Sequence, residues 1–290
     1  MARGESMTDK KNVGYIGLGN IGKPAAEHLI CEAFKVHVFD VYQPAVDELA
    51  EKGAIGCASV AELAARCEYI GICVRDDAQV DELLYGDEGI LANAVADTII
   101  AIHSTVSRAA VIRWADDARA KQCWLIDAAI TGAATGAKAG TLCYMVGGPV
   151  DIIERARPMM ETSAKSIVHA GELGCGALLK QCNNLITYAE FMAMSEATRL
   201  AEAGGLSSEL LREVGKSNGV VNESMFAFVK NRAVVFATMT PEERDQRFGP
   251  FGKLAEKDLD CALQSAAEMN LDLPSTAQLR DVVYKMFMSV

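Results

Sequence analysis

Apolar positions along the 290-residue chain fall into two textures. Up to about residue 171 they come as short continuous runs, at 13–18, 36–40, 69–74, 98–103, 124–127, 142–146 and 166–170. Runs of this length, rich in β-branched residues and bounded by turn formers, predict buried strands. Helical stretches lie between most of them, one opened by the capping-box pattern Ser59-Val60-Ala61-Glu62. Strands that read as continuous apolar runs, alternating with helices, predict a parallel sheet covered on both faces. Beyond residue 171 the pattern is helical throughout. A long proline-free helix is expected from Gly174 to Ala203. Breaks are expected at Gly204-Gly205, at Ser217-Asn218-Gly219 and at Phe248-Gly249-Pro250, and a second capping signature stands at Thr240-Pro241-Glu242-Glu243. The predicted fold is an α/β Rossmann-type, doubly wound parallel sheet over residues 1–170. An all-α domain over 171–290 follows, joined to it through the long helix.

Gly17-Leu18-Gly19-Asn20-Ile21-Gly22 follows the first strand and opens the first helix. In such a G-x-G-x-x-G turn the first glycine permits the tight bend. The second lets a pyrophosphate approach the backbone, and the third lets the helix pack against the strand. Pro24 sits in the first helical turn, where a missing N–H costs little. Asp40 ends the next strand, 18 residues beyond Gly22, where a carboxylate can accept from adenosine ribose hydroxyls. The same carboxylate repels a 2′-phosphate, and no arginine follows among Val41, Tyr42 and Gln43. NAD is therefore expected over NADP.

Two further clusters carry chemistry. Lys180 and Asn184 lie at i and i+4 near the start of the long helix, with Asn183 on the flank and Leu178, Leu179, Cys182, Leu185 and Ile186 around them. A lysine among apolar neighbours is suited to general acid/base work; a lysine snorkelling from an ordinary helix has the same spacing. Between Asp127 and Leu142 small residues and three glycines follow a strand end, which suits either an anion-binding nest of backbone N–H groups or a flexible loop. His103 ends a strand, near the cofactor or packed in the core. His28, His37 and His169 carry no distinguishing pattern.

Composition narrows the classes. With 28 Lys+Arg against 39 Asp+Glu the net charge is −11, which argues against a nucleic-acid partner or an anionic membrane surface. Half the chain is apolar and 23% charged, as in globular proteins. No uncharged apolar run reaches the ~18–20 residues of a membrane span, and the first ten residues lack a signal-peptide core, so a cytoplasmic protein is expected. Met7 is a second candidate start. Nine cysteines, without C-x-x-C spacing, predict reduced and mostly buried thiols, with no metal site. The absence of Tyr-x-x-x-Lys removes the short-chain dehydrogenase mechanism.

The glycine fingerprint, the D-x-x-x-T-G-x-x-x-G-A-x-x-G-T-L stretch at 127–142, G-x-x-x-K-x-x-N-N at 176–184 and Lys253-Leu254-Ala255-Glu256-Lys257-Asp258-Leu259 occur in that order. Together they resemble the β-hydroxyacid dehydrogenase family, which includes 3-hydroxyisobutyrate dehydrogenase and tartronate semialdehyde reductase, over nearly the whole chain. The resemblance implies NAD-dependent interconversion of a small 3-hydroxy acid and its aldehyde or ketone. Lys180 is then the catalytic lysine and Asn184 the substrate-orienting asparagine, with Asn183 beside it. Thr131, Gly132 and Ala133 match the loop that holds the substrate carboxylate. Ser104-Thr105 and Val74-Arg75 match cofactor-contacting pairs, and Lys257 a lysine that reaches the cofactor. A homodimer or homotetramer is implied as well. Two departures stand out: Arg75 where the family has proline, and Thr131-Gly132-Ala133 where it has Ser-Gly-Gly. The alternatives are an imine reductase, whose relatives typically lack the lysine, and a non-catalytic dinucleotide-binding module.

Overall fold

The computed structural model describes residues 10–289, so the candidate start at Met7 lies outside it. The chain runs β1 (Lys11–Ile16), α1 (Gly22–His28), β2 (Phe34–Phe39), α2 (Gln43–Glu51), β3 (Ile55–Gly56), α3 (Val60–Ala64), β4 (Tyr69–Ile72), α4 (Asp77–Leu84), α5 (Ile90–Asn93), β5 (Ile99–Ile102) and α6 (Arg108–Ala120). It continues through β6 (Trp124–Thr131), α7 (Ala133–Ala139), β7 (Leu142–Gly147), α8 (Val150–Glu161) and β8 (Ala164–Gly171). Five helices complete it: α9 (Cys175–Ala203), α10 (Ser208–Asn218), α11 (Glu223–Phe236), α12 (Pro241–Glu268) and α13 (Pro274–Met288). Packing divides it into two compact units, the first ending at Lys180 and the second starting at Gln181, within α9.

The first unit is one eight-stranded sheet in the order β3-β2-β1-β4-β5-β6-β7-β8. Side chains alternate between its faces. Tyr15, Val38, Ile126 and Tyr144 enter one apolar layer; Ile16, Ile70, Ile102, Leu125 and the fully buried Trp114 enter the other. Burial on both faces is why these strands read as unbroken apolar runs. The sheet is not parallel throughout: β7 runs antiparallel to β6, and β8 pairs parallel with β7. The stretch that suits either an anion nest or a flexible loop is not a loop: it extends β6 to Thr131 and forms the short helix α7. The two-residue edge strand β3, exposed at both positions, carries no apolar pattern to announce it.

The second unit is helical. Gly219 caps α10 in the left-handed conformation, as the expected break requires, and Thr240 and Glu243 form a complete capping box on α12. The break expected at Phe248-Gly249-Pro250 is absent: α12 runs through Pro250. Gly249 and Gly252 lie against Tyr284 of α13, with no room for a Cβ at Gly252 without moving that ring. Close packing of α12 on α13 holds the helix where the proline removes one hydrogen bond. Arg232 is buried on α11 with its guanidinium over Phe228, Phe248 and Phe287, which ties α11 to α12 and α13. Of the apolar residues near 226–236, Phe226, Val229 and Phe236 are buried, whereas Val234 faces out. All nine thiols are free; Cys57, Cys67 and Cys123 are buried, four are half-buried, and Cys31 and Cys182 are exposed, so fewer are buried than expected. Among the described residues no helix is long and apolar enough to cross a membrane, and no group of ligating side chains suits a metal.

Candidate active site

A cleft of about 290 Å³ opens where strand order reverses, at the carboxyl ends of β1, β2 and β4. This is the switch point at which open α/β sheets bind ligands. Gly17, Gly19, Asp40, Val74 and Arg75 all line it. The three fingerprint glycines serve different ends. Gly17 has φ 91°, and a Cβ there would meet the Cys73 carbonyl at 2.3 Å. A Cβ on Gly22 would lie 1.9 Å from the Gly17 carbonyl. A Cβ on Gly19 would meet nothing within 4 Å. The fold thus requires the outer two glycines, whereas the middle one leaves its space to something outside the chain, as a cradle for a pyrophosphate does. The residues present fit a dinucleotide.

Asp40 fastens this loop. Its carboxylate accepts from the Leu18 N–H at 2.5 Å and the Tyr42 N–H at 2.7 Å. Asn20 is exposed and Ile21, half-buried, is the N-cap of α1. Ser104 is buried and accepts from the Val74 N–H at 2.8 Å, joining two of the expected cofactor segments, while Thr105 beside it is half-buried. Arg75 stands out into solvent from the cleft wall and pairs with Asp76.

Cys73, also on the cleft wall, lies within electrostatic reach of Lys180. Burial pushes its thiol up to about 11, and the neighbouring Tyr15 hydroxyl and Lys180 ammonium oppose this. His103 does not reach the cleft. It is packed in the core, Nδ1 on the Ala128 carbonyl at 2.9 Å and Nε2 against the Tyr69 hydroxyl at 3.1 Å, stacked on Tyr15. Burial lowers its pKa to about 4.

Thr131 closes β6, and Gly132 and Ala133 turn the chain into α7 with φ of 130° and 54°. Ala133 therefore occupies the left-handed region that glycine adopts freely, at the place where the family pattern has glycine. Gly136 is the first residue whose N–H bonds back, to the Gly132 carbonyl, so the amides before it point beyond the helix.

In the second unit Asn184 and Asp258 are buried together. Asn184 Nδ2 donates to Asp258 Oδ2 at 2.8 Å and the Tyr188 hydroxyl donates to the same oxygen at 2.8 Å. Burial first, and then the Asp258 carboxylate, raise the Tyr188 pKa. Lys257 pairs with Asp258 Oδ1 at 3.0 Å. Asn183, half-buried, donates to Asn184 Oδ1 at 3.4 Å. The sequence alone assigns no role to two buried carboxylates, Asp127 and Asp258. Each stands inside a motif that carried the resemblance, which was the available signal.

Both parts of the chain match known proteins. Residues 12–171 match the NAD binding domain of 6-phosphogluconate dehydrogenase, and residues 174–289 match the NAD-binding domain of NADP-dependent 3-hydroxyisobutyrate dehydrogenase. The chain is 32% identical to the 3-hydroxyisobutyrate dehydrogenase of Pseudomonas aeruginosa, over 95% of this chain and 91% of that one. The solved structure of the Mycobacterium tuberculosis 3-hydroxyisobutyrate dehydrogenase with L-serine superposes with a TM-score of 0.80 at 27% identity, covering 95% and 93% of the two chains. An imine reductase from Streptomyces aurantiacus shares the fold alone, at 17% identity and a TM-score of 0.67 over 95% and 94%. The chain belongs to the β-hydroxyacid dehydrogenase family of NAD(P)-dependent oxidoreductases.

Proposed function

We propose that this enzyme oxidises a small 3-hydroxy acid with NAD, and reduces the corresponding aldehyde or ketone, using Lys180 as general acid and base. The observation that carries this reading is that the Lys180 ammonium lies within electrostatic reach of Cys73, which lines the cleft that the fingerprint glycines shape. The bound dinucleotide supplies the acceptor or donor of hydride. The amides of Thr131, Gly132 and Ala133 receive the substrate carboxylate, since N–H groups ahead of a helix favour an anion. The neutral Lys180 amine takes the proton from the substrate hydroxyl as its carbon loses hydride and the C–O bond becomes C=O. In the reverse direction the ammonium returns that proton to the oxygen. Asn184 holds the same oxygen or the lysine head, one helical turn along α9. Lys257 reaches the cofactor, as do Val74, Arg75, Ser104 and Thr105.

Asp40 supports NAD rather than NADP: its carboxylate repels a 2′-phosphate, and Val41 and Tyr42, which follow it, are exposed and uncharged. Exposed Ile186, Leu200 and Val234 support burial against a second subunit in a homodimer or homotetramer. The nine free thiols support a cytoplasmic setting.

The decisive test screens 3-hydroxyisobutyrate, glycerate, 4-hydroxybutyrate and L-serine, each with NAD and NADP, in the wild-type protein and in Lys180→Met. Turnover of at least one acid with NAD, abolished in Lys180→Met while NADH binding persists, is expected. Retention of more than a tenth of the wild-type rate in Lys180→Met would overturn the assignment.

A further inference from the structure

The buried carboxylate of Asp127 has no part in the reaction as written. It sits on β6, 1% exposed, four residues before Thr131. Its Oδ1 accepts from the Gly174 N–H at 2.9 Å and its Oδ2 from the Ala177 N–H at 2.7 Å, and the Gly176 N–H also points to it. These amides open α9, the helix that carries Lys180 one turn further on. A strand side chain therefore caps a helix 47 residues away, in place of the local Ser, Thr, Asn or Asp that normally does so.

The surroundings are shaped for this carboxylate. A Cβ on Gly147 would come within 2.6 Å of Oδ1, and a Cβ on Gly176 within 2.9 Å of Oδ2 and 2.5 Å of the Met145 carbonyl. Gly174 turns into the helix at φ 84°. Burial raises the Asp127 carboxyl above the ordinary carboxylate range, and the backbone N–H groups of Gly174, Ala177 and Gly176 offset this in part. Several N–H donors and the positive end of a 29-residue helix thus stand where a lysine or arginine would otherwise balance a buried charge.

We infer that Asp127 is a positioning residue for catalysis: by capping α9 from β6 it fixes the first two turns of that helix on the sheet, and so places the Lys180 side chain. Rotation of α9 by one residue would turn Lys180 by about 100° about the helix axis, and errors near 1 Å in a reacting group can cost about 100-fold in rate. The Asp127 side chain thus ties the strand end that leads to Thr131 to the helix that carries Lys180.

The inference rests on Lys180 as the acid/base. Asp127→Asn keeps the shape and one acceptor oxygen but presents an NH2 group to the helix amides. Gly176→Ala keeps the carboxylate and forces the helix away from it. In both variants kcat for 3-hydroxyisobutyrate oxidation, normalised to NADH-binding sites, is expected to fall at least tenfold, with KM for NAD within twofold of wild type. A purely structural role would lower the melting temperature and the yield of NADH-binding sites while leaving kcat per site intact, and that result in either variant would overturn the inference. Lys180→Met run alongside separates the two readings: if it stays active, the acid/base assignment fails. If it is inactive while the Asp127 and Gly176 variants turn over normally, only the positioning role fails.

Discussion

Asn184 donates its side-chain amide to Asp258 across 2.8 Å, with both residues buried in the second unit. A carboxylate oxygen can only accept, so the atom facing it is Nδ2, and Oδ1 is the end left to accept hydrogen bonds. Asp258 thereby sets the polarity of Asn184.

Replacement of Asp258 should separate that role from stability. Asp258→Ala strips the acceptor from Asn184 and Tyr188 and one charge partner from Lys257, and a broken buried network of this kind costs about 3 kcal/mol. Asp258→Asn can keep one oxygen for both the Asn184 amide and the Tyr188 hydroxyl, and its NH2 group then takes the place of the oxygen that pairs with Lys257. Asp258→Asn should therefore lose less stability than Asp258→Ala and keep kcat within about twofold of wild type, whereas Asp258→Ala, which frees the Asn184 amide to turn, should lose about tenfold in kcat. Urea denaturation and steady-state rates check both. An Asp258→Ala enzyme with wild-type kcat per folded molecule would show that the direction of the Asn184 amide is immaterial.

Features that depend on neighbours in sequence were legible; those that depend on distant partners were not. The glycine turn, the Asp40 strand end and the caps at Ser59 and Thr240 are local devices, and their residue types announce them. Pro250 reads as a stop, because a proline inside a helix removes a hydrogen bond, yet its helix survives through packing against Tyr284, 34 positions away in sequence. Asp127 and Asp258 look like ordinary carboxylates until the fold brings Gly174 and Asn184 to them from 47 and 74 residues away. β7 turned antiparallel for a similar reason. Its apolar run suits either direction, and only the short α7 between β6 and β7 shows that the chain returns beside the strand it has just left.

The Arg232 guanidinium allows charge and shape to be told apart. It is buried among three phenylalanines, and burial lowers its pKa to about 10. Methionine fills a similar volume with no charge to desolvate, and replacing a buried charge by a well-packed apolar side chain is commonly neutral or stabilising. Arg232→Met should therefore hold or raise the urea midpoint, whereas Arg232→Ala, which empties the box, should lose about 3 kcal/mol. If methionine proves as damaging as alanine, the cation–π contacts themselves hold α11 in place.

His103 ties stability to pH. Its folded pKa of about 4 lies below the ordinary value of 6.5 because the imidazole is buried. The unfolded chain therefore binds a proton that the folded chain refuses between these values. The stability is fully present above pH 6.5, declines as pH falls toward 4, and levels off below that. A shift of this size corresponds to about 3 kcal/mol. His103→Gln, which can still accept from the Tyr69 hydroxyl, should remove most of that slope. Unfolding free energies measured from pH 7 to pH 4.5 on both proteins provide the check, and parallel curves would assign the slope to other groups.

The fingerprint glycines give the sharpest separation of folding from binding. Gly22→Ala drives a methyl group to 1.9 Å from the Gly17 carbonyl, backbone against backbone, which no side-chain rotation relieves. The start of α1 must then leave β1, and a loss of about 3 kcal/mol is expected, in the range of other strained core substitutions. Gly19→Ala places its methyl in open space. Its melting temperature should stay within about 2 °C of wild type or rise slightly, because alanine restricts the unfolded chain. That methyl stands where a pyrophosphate approaches the backbone, so NADH binding should weaken at least tenfold. Thermal unfolding without cofactor and NADH fluorescence titration measure the two effects independently. A Gly19→Ala protein that binds NADH like wild type would mean that the cofactor phosphates do not lie over this turn.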